Sequence, residues 1–211
     1  MTAISTSGTE GTVDELTAQG RRTRAGLIRA ARRVFERKGF MDARIVDITK
    51  SARVATGSFY NYFDSKEQIF EVMLTELQQE LFEVPGESTK SMAPVDRIRL
   101  ANRRYLEIFG TWAKLWAAVE EAAITNADVR NLIAERRRVY NERTQRAIQH
   151  WVDQGVANPR VAPAFAAAAL GAMTERCAYL WYVFGTPPDL EDGVEALTQL
   201  LARSLRLEQA D

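Results

Sequence analysis

The sequence contains few of the cysteine and histidine residues on which many enzymes depend. Its 211 residues include one cysteine, Cys177, and one histidine, His150. A single cysteine excludes a disulfide framework and a thiolate metal cluster, and one histidine leaves a histidine metal site or a Ser-His-Asp triad without most of its parts. A phosphate-binding glycine loop is also missing. We therefore expect no catalytic residues, no metal and no cofactor.

Long apolar segments are absent as well. The longest apolar run, residues 161–173, contains Pro163 and Gly171 and is too short to cross a bilayer. Residues 1–20 have neither Lys nor Arg nor an apolar core, unlike a signal peptide. Because this stretch is small, polar and aperiodic, we expect it to be a disordered tail. The sequence predicts a cytoplasmic protein that does not contact a membrane.

The charges balance overall but are unevenly distributed. The chain has 28 Lys and Arg and 28 Asp and Glu, yet residues 21–66 hold twelve basic residues against four acidic ones. Residues 67–211 have a slight acidic excess. A basic block joined to a mildly acidic body is typical of a nucleic-acid-binding module attached to a regulatory or oligomerising domain. We place these domains at residues 21–66, here named the head, and 67–211.

Hydrophobic periodicity predicts an all-α fold of about nine helices. Apolar residues recur at 3.6-residue spacing, and no convincing alternating strand pattern or internal repeat occurs. Glycine, proline and asparagine mark the breaks between helices. The expected helices cover about 21–38, 45–52, 55–60, 66–84, 95–110, 112–124, 127–154, 163–184 and 189–206.

The second and third helices indicate a helix-turn-helix. Two short helices joined by a tight turn describe this motif, whose second helix lies in the major groove of DNA. The second helix of the motif, expected at about residues 55–60, suits this role because its first residues are small and the residues that follow are polar. We expect Phe59 and Phe63 to face inward. The residues expected to contact DNA are Thr56, Gly57, Ser58, Tyr60 and Asn61.

The segment IVDITKSARVATGSFYNYFDSKEQIF resembles the DNA-binding segment of the TetR family of bacterial transcriptional regulators. Arg53 replaces the usual turn glycine, Ala55 a capping serine, and Arg44 a threonine before the second helix. The resemblance implies DNA contacts from Arg44, Tyr62 and Lys66 as well. It covers residues 21–72, with matches at Ile48, Ala52, Val54, Gly57, Tyr60, Tyr62, Phe63, Ser65, Lys66 and Glu67.

The middle helices are rich in aromatic residues and contain all four tryptophans. This density favours an apolar cavity with a few polar groups, because Leu and Ala alone can pack an all-α domain. The resemblance implies that an effector binds there. Glu175 and Arg176 are further polar candidates, whereas residues 136–138 are expected on a solvated surface. The expected lining residues are Tyr105, Phe109, Trp112, Trp116, Glu120, Tyr140, Met173, Cys177 and Trp181.

The last two helices combine an alanine-rich segment, residues 164–172, with an apolar stripe. The resemblance implies that they pair with their copies in a second subunit as a four-helix bundle. The alternative is that they are core helices within one subunit. A two-fold dimer would read a palindrome with half-sites about 34 Å apart, or a multiple of this distance. The stripe consists of Leu190, Val194, Leu197, Leu201 and Leu205.

Together these features predict a ligand-responsive transcriptional regulator, a repressor, that binds a palindromic operator as a homodimer. A small apolar or amphipathic effector would release it by a change passed through the fourth helix, residues 66–83. Two alternatives stay open. One is an enzyme whose helical pocket acts on a lipid-like substrate, although the sequence lacks a recognisable nucleophile or metal motif. The other is a protein adaptor, which leaves the basic head unexplained.

Overall fold

The structure, a computed structural model, describes residues 16–82 and 92–207, and the side chains of all but residues 78–82 within them. In these ranges it consists of nine α-helices without a strand, which confirms the all-α prediction. Residues 1–15 of the expected tail and most of the expected loop at 85–94 lie outside this description. The helices are α1 (Ala18–Asp42), α2 (Ile45–Ala52), α3 (Thr56–Phe59), α4 (Lys66–Phe82), α5 (Pro94–Thr111), α6 (Ala113–Thr125), α7 (Ala127–Asp153), α8 (Pro163–Val183) and α9 (Leu190–Leu205).

Helix α1 differs from its predicted limits at both ends. It begins at Ala18, because the Thr17 hydroxyl oxygen accepts a hydrogen bond from the Gly20 N–H at 3.1 Å and caps the first turn. The last three residues of the expected tail are therefore helical. Gly39 has φ 74° and interrupts the helix, as expected of a glycine at a break between helices. A short helical segment that ends at Asp42 follows it.

Aromatic side chains of the head and of the first turns of α4 form a common core. Phe35, Phe40 and Phe70 pack against one another, with ring centroids 4.7 to 5.6 Å apart. Phe59 and Phe63 are 0% and 2% exposed, so both face inward as expected. Since Phe59 is the last residue of α3, its burial fixes this short helix to the head and leaves the opposite face of α3 in solvent.

The turn between α2 and α3 is formed without glycine. Arg53 ends α2 in the left-handed conformation, with φ 59° and ψ 42°. A residue with a Cβ carries about 1–2 kcal/mol of strain in this conformation. Across the turn, the hydroxyl oxygens of Thr49 and Thr56 lie 3.3 Å apart and connect the two helices, while Ala55 provides no side-chain cap.

The larger body is assembled from helix pairs. Helix α5 packs along α9, α7 packs along α8, and α6 lies between α1 and the other body helices. A buried hydrogen bond from Asn102 Nδ2 to Thr198 Oγ1, 3.1 Å long, joins α5 to α9. In the described ranges, no helix combines the length and apolar character needed to cross a membrane.

The apolar stripe of α9 belongs to the core of its own chain. Val194 and Leu197 are each 1% exposed and pack in one cluster with Leu106 and Phe109 of α5. Leu205 is buried in a neighbouring cluster. Most of this stripe therefore packs within its own chain, and the expected pairing of the last two helices with their copies stays a prediction.

We predict that Arg53→Gly stabilises the protein. Glycine removes the left-handed strain but adds freedom to the unfolded chain, so the free energy of unfolding should rise by about 0.5–1 kcal/mol. Urea denaturation measures this change. Lys50→Gly, at an exposed position inside α2, is the matched control and should lower stability by about 1 kcal/mol. A loss of stability in Arg53→Gly equal to that of the control would contradict the strain.

Candidate nucleic-acid interface and effector cavity

The solvent-facing side of α3 and the residues after it carry most of the predicted DNA contacts. Tyr60 keeps 56% of its surface exposed, and its ring lies edge-on against buried Phe59, with centroids 5.5 Å apart. A Cβ placed on Gly57 would meet no atom within 4 Å, so this position is open to a partner surface. Thr56, Gly57, Tyr60 and Asn61 are exposed, and Ser58 is half-buried.

Arg44 precedes α2 with an exposed side chain. Its backbone N–H donates to Asp47 Oδ2 at 3.2 Å, which is the contact that the third helical residue supplies in a capping box. The hydrogen bond from Lys38, together with the Arg44 N–H, holds the pKa of Asp47 below its usual value. The Arg44 guanidinium is thus placed beside a well-ordered helix start, and its contact with DNA stays a prediction.

Lys66 and Tyr62 are less available to DNA than the sequence suggested. Lys66 Nζ donates to the carbonyl oxygens of Phe40 and Met41, at 2.8 and 3.3 Å, and lies 4.4 Å from the centre of the Phe40 ring. This ammonium therefore ties the start of α4 to the end of α1. Tyr62 is half-buried against the head core. Their contacts with DNA also stay predictions.

Many basic residues of the head are exposed. Few carboxylates lie among them, which leaves a positive surface suited to phosphate groups. The exposed basic residues of α1, α2 and their flanking turns are Arg21, Arg22, Arg29, Arg33, Arg37, Lys38, Arg44, Lys50 and Arg53.

A cavity of about 420 Å³ lies between α5, α6, α7 and α8. Its wall combines aromatic rings, small residues and five charged side chains. A second cavity of about 200 Å³ adjoins it, and Tyr105, Tyr140, Gly171 and Thr174 line both. The larger cavity is lined by Tyr105, Phe109, Trp116, Glu120, Ile133, Arg136, Arg137, Tyr140, Asn141, Ala168, Gly171, Ala172, Thr174, Glu175, Arg176 and Tyr179.

Five of the nine residues expected in the effector site line this cavity, and four do not. Trp112 instead packs near the head, where the Arg32 guanidinium lies 3.6 Å from the centre of its ring. Met173, Cys177 and Trp181 follow one another at four-residue spacing on the face of α8 that packs into the cluster of α5 and α9 residues. The five that line it are Tyr105, Phe109, Trp116, Glu120 and Tyr140.

Arg136 is the main residue that the sequence reasoning missed. We expected it on a solvated surface, but it lines the cavity and its guanidinium carbon lies 4.8 Å from the centre of the Trp116 ring. The spacing of Arg136 indicates its place in the cavity wall, because Ile133, Arg136 and Tyr140 recur at helical intervals on one face of α7. The candidates Glu175 and Arg176 do line the cavity.

Two polar atoms in the cavity wall are buried without a hydrogen-bond partner among the described residues. They are Trp116 Nε1 and Arg136 Nε. The nearby carboxylates are engaged elsewhere: Arg137 donates two hydrogen bonds to Glu175, at 2.6 and 3.1 Å, and Glu120 lies 3.9 Å from Arg176. Burial lowers the pKa of Arg136 to about 10, so its guanidinium is charged at neutral pH.

The cavity tyrosines are neutral hydrogen-bonding groups. Burial raises the pKa of the Tyr105 phenol well above its usual value, and burial also raises the pKa of Tyr140. Gly171 makes room for the ring of Tyr140, because a Cβ at position 171 would lie 3.0 Å from Tyr140 Cε1. The passage between the two cavities is therefore bordered by two phenol groups.

A helix-turn-helix with an exposed, basic face on an all-α body defines the class of helix-turn-helix DNA-binding proteins. Residues 27–73 match the family of bacterial regulatory proteins described as the tetR family. This match lies within the segment that resembles the family in sequence and confirms that resemblance.

Curated relatives are similar to the chain over short stretches. The HTH-type regulator YdgC of Bacillus subtilis, itself uncharacterized, is 41% identical over 59 residues. This match covers 28% of the chain and 30% of YdgC, so less than a third of the relative is spanned.

Solved structures share the fold over most of the chain. FadR of Bacillus subtilis, in complex with stearoyl-CoA, has a TM-score of 0.75 and 18% identity, covering 85% of this chain and 98% of FadR. AibR, in complex with isovaleryl coenzyme A and operator DNA, has a TM-score of 0.66 and 19% identity, covering 88% of this chain and 100% of AibR. At these identities the similarity shows a common fold.

Proposed function

We propose that the protein is a ligand-responsive regulator of transcription. In this proposal it represses by binding a palindromic DNA operator as a homodimer, and it is released when a small amphipathic molecule occupies the cavity. The observation that carries the proposal is that α6 both lines the cavity and packs along α1 of the DNA-binding head. One helix therefore contacts the two sites that a regulator must connect.

DNA binding is supported by the exposed side of α3. Thr56 and Gly57 allow close approach to a groove, and Tyr60 and Asn61 provide groups that can bond to bases or phosphates. The exposed basic residues of the head would displace counterions from phosphates, so binding should weaken steeply as salt concentration rises. We keep residues 21–66 as the proposed DNA-binding domain and 67–211 as the effector and dimerisation domain.

Dimerisation is supported by apolar side chains that α8 and α9 leave in solvent. Phe165 and Leu180 of α8 are 67% and 43% exposed, and Leu200 of α9 is 52% exposed. Ala169 lies between the two α8 residues and is also exposed, so a second backbone could approach closely. Exposed apolar patches of this kind often mark interfaces. The proposed dimer thus uses the outer faces of α8 and α9, not the buried α9 stripe.

The proposed connection between the sites has contacts along the length of α6. Near its start, Arg32 Nη2 donates to the Thr111 carbonyl oxygen at 2.9 Å and the guanidinium stacks on Trp112. At its end, Thr125 Oγ1 lies 3.5 Å from Met41 Sδ. Thirteen residues of helix span about 20 Å, so α6 follows α1 over several turns. A shift of α6 on effector binding would move α1 with it.

We predict that Tyr60→Ala and Asn61→Ala each weaken specific operator binding by roughly 5- to 150-fold, the range expected for losing one good base contact. Fluorescence anisotropy with labelled duplexes from the DNA flanking the gene that encodes the chain measures this loss. Arg138→Ala is the control, because Arg138 is exposed on α7 and pairs with Glu135 and Glu142. Unchanged affinity in both head variants would contradict the assigned interface.

We also predict that Leu200→Glu converts the dimer into monomers. A two-fold interface would bring the new carboxylate and its copy into an apolar contact, where burial of an unpaired charge is costly. Sedimentation velocity measures the change, and a retained cooperative thermal transition shows that the subunit still folds. Val139→Glu, which replaces an exposed apolar residue of α7 that is 42% exposed, should leave the dimer intact. A Leu200→Glu dimer as stable as that of the control would exclude this surface.

A further inference from the structure

We propose that the effector carries an anionic group, a carboxylate or a phosphate, that binds the guanidinium of Arg136 and the indole N–H of Trp116. This inference rests on the proposed function, because it identifies the chemical class of the molecule that occupies the cavity. It names Arg136 as the residue that determines specificity for the anion.

The charges of the cavity wall support an anion. Three arginines and two glutamates line it, and the glutamates already lie beside Arg137 and Arg176. Arg136 has no ion-pair partner among the described residues. A buried guanidinium without an ion-pair partner is costly, and an anionic ligand would offset this cost. The excess of one positive charge in the cavity wall is therefore matched to one negative charge.

The hydrogen-bond donors support the same conclusion. Nearly all buried N–H groups in proteins have an acceptor, yet Arg136 Nε and Trp116 Nε1 lack one within the described residues. The two side chains are neighbours, since the guanidinium carbon lies 4.8 Å from the centre of the indole ring. Carboxylate and phosphate oxygens accept several hydrogen bonds at once, so one such group could satisfy both donors.

The rest of the cavity suits an apolar body attached to the anion. The Phe109 ring stacks on Trp116 at 5.5 Å with an interplanar angle of 9°, and Ile133 and Ala172 complete an apolar wall. A volume of about 420 Å³ accommodates about 14 non-hydrogen atoms, taking ~30 Å³ for each, the share of one water molecule in the liquid. The adjoining cavity beyond Tyr105 and Tyr140 provides room for a longer tail.

A matched series of ten-carbon probes tests the charge. Decanoate, decyl phosphate and 1-decanol share one tail, and inorganic phosphate supplies the anion without a tail. We expect both anionic probes to bind at least about tenfold more tightly than 1-decanol in calorimetry, the gain expected for a charged hydrogen bond. Equal binding of the alcohol, or no binding by either anionic amphiphile, would overturn the proposal. Inorganic phosphate that binds as tightly as decyl phosphate would overturn its amphipathic part.

Variants of the wall test the residues. Arg136→Met should weaken decanoate binding by roughly 10- to 100-fold and leave 1-decanol binding unchanged. Trp116→Phe keeps an aromatic ring and should lose a smaller part of the preference for the anion. Arg138→Met, an exposed arginine two residues further along α7, is the control and should bind all probes like the parent. Retention of the full preference in both wall variants would exclude this site.

The same proteins separate this inference from the proposed function. Arg136→Met should still bind operator duplexes like the parent, because the substitution lies in the body and not in the head. A parent protein that prefers anions but ignores operator DNA would contradict the proposed function and leave the anion site standing. A parent protein that binds operator DNA but shows no preference for anions would contradict the anion site and leave the proposed function standing. If Arg136→Met does not fold, Trp116→Phe and the probe series still decide the matter.

Discussion

The contact between Arg32 of α1 and the start of α6 is the interaction on which the proposed regulation depends. The guanidinium stacks on Trp112 at 3.6 Å, donates to the Thr111 carbonyl oxygen and is held from the other side by Glu36 at 2.7 Å. A cation–π contact of this kind contributes about 0.5–2 kcal/mol. The contact between Arg32 and Trp112 is therefore strong enough to fix the position of α1 on α6 and weak enough to rearrange when α6 moves. The orientation of the head is thereby linked to the position of α6.

The start of α6 lies beside both proposed sites. Trp112, the residue before α6, packs on Arg32 of α1, whereas Trp116 and Glu120 line the cavity. An effector that binds beside Trp116 can change the affinity for DNA only if it favours one position of α6 over another, and coupling of this kind is typically about 1–3 kcal/mol. Helix α4, which the sequence suggested as the connection, also contacts α1, α5 and α7 and offers a second path.

Features encoded by local spacing were predictable from the sequence. The limits of α2, the inward position of Phe59 and Phe63, and the left-handed residue Arg53 follow from periodicity and from the family pattern. The match of residues 27–73 to the tetR family shows why the head was the clearest part.

Features that depend on which helices meet were not predictable in the same way. An apolar stripe such as that of α9 looks the same whether it packs on α5 of its own chain or on a second subunit. An arginine such as Arg136 looks like a surface residue until α6 and α8 are placed over it, and Trp112 looks like a cavity residue until α1 is placed beside it. Tertiary contacts, not the helical pattern, decide these positions.

The coupling between cavity and head is tested most directly by measuring operator affinity with and without saturating decanoate, in the parent protein and in Arg32→Met. The account predicts that decanoate weakens operator binding of the parent by roughly 5- to 150-fold. Arg32→Met should bind decanoate and operator separately but lose most of this effect, whereas Arg138→Met should retain it. An undiminished effect of decanoate on operator binding by Arg32→Met would contradict the central claim.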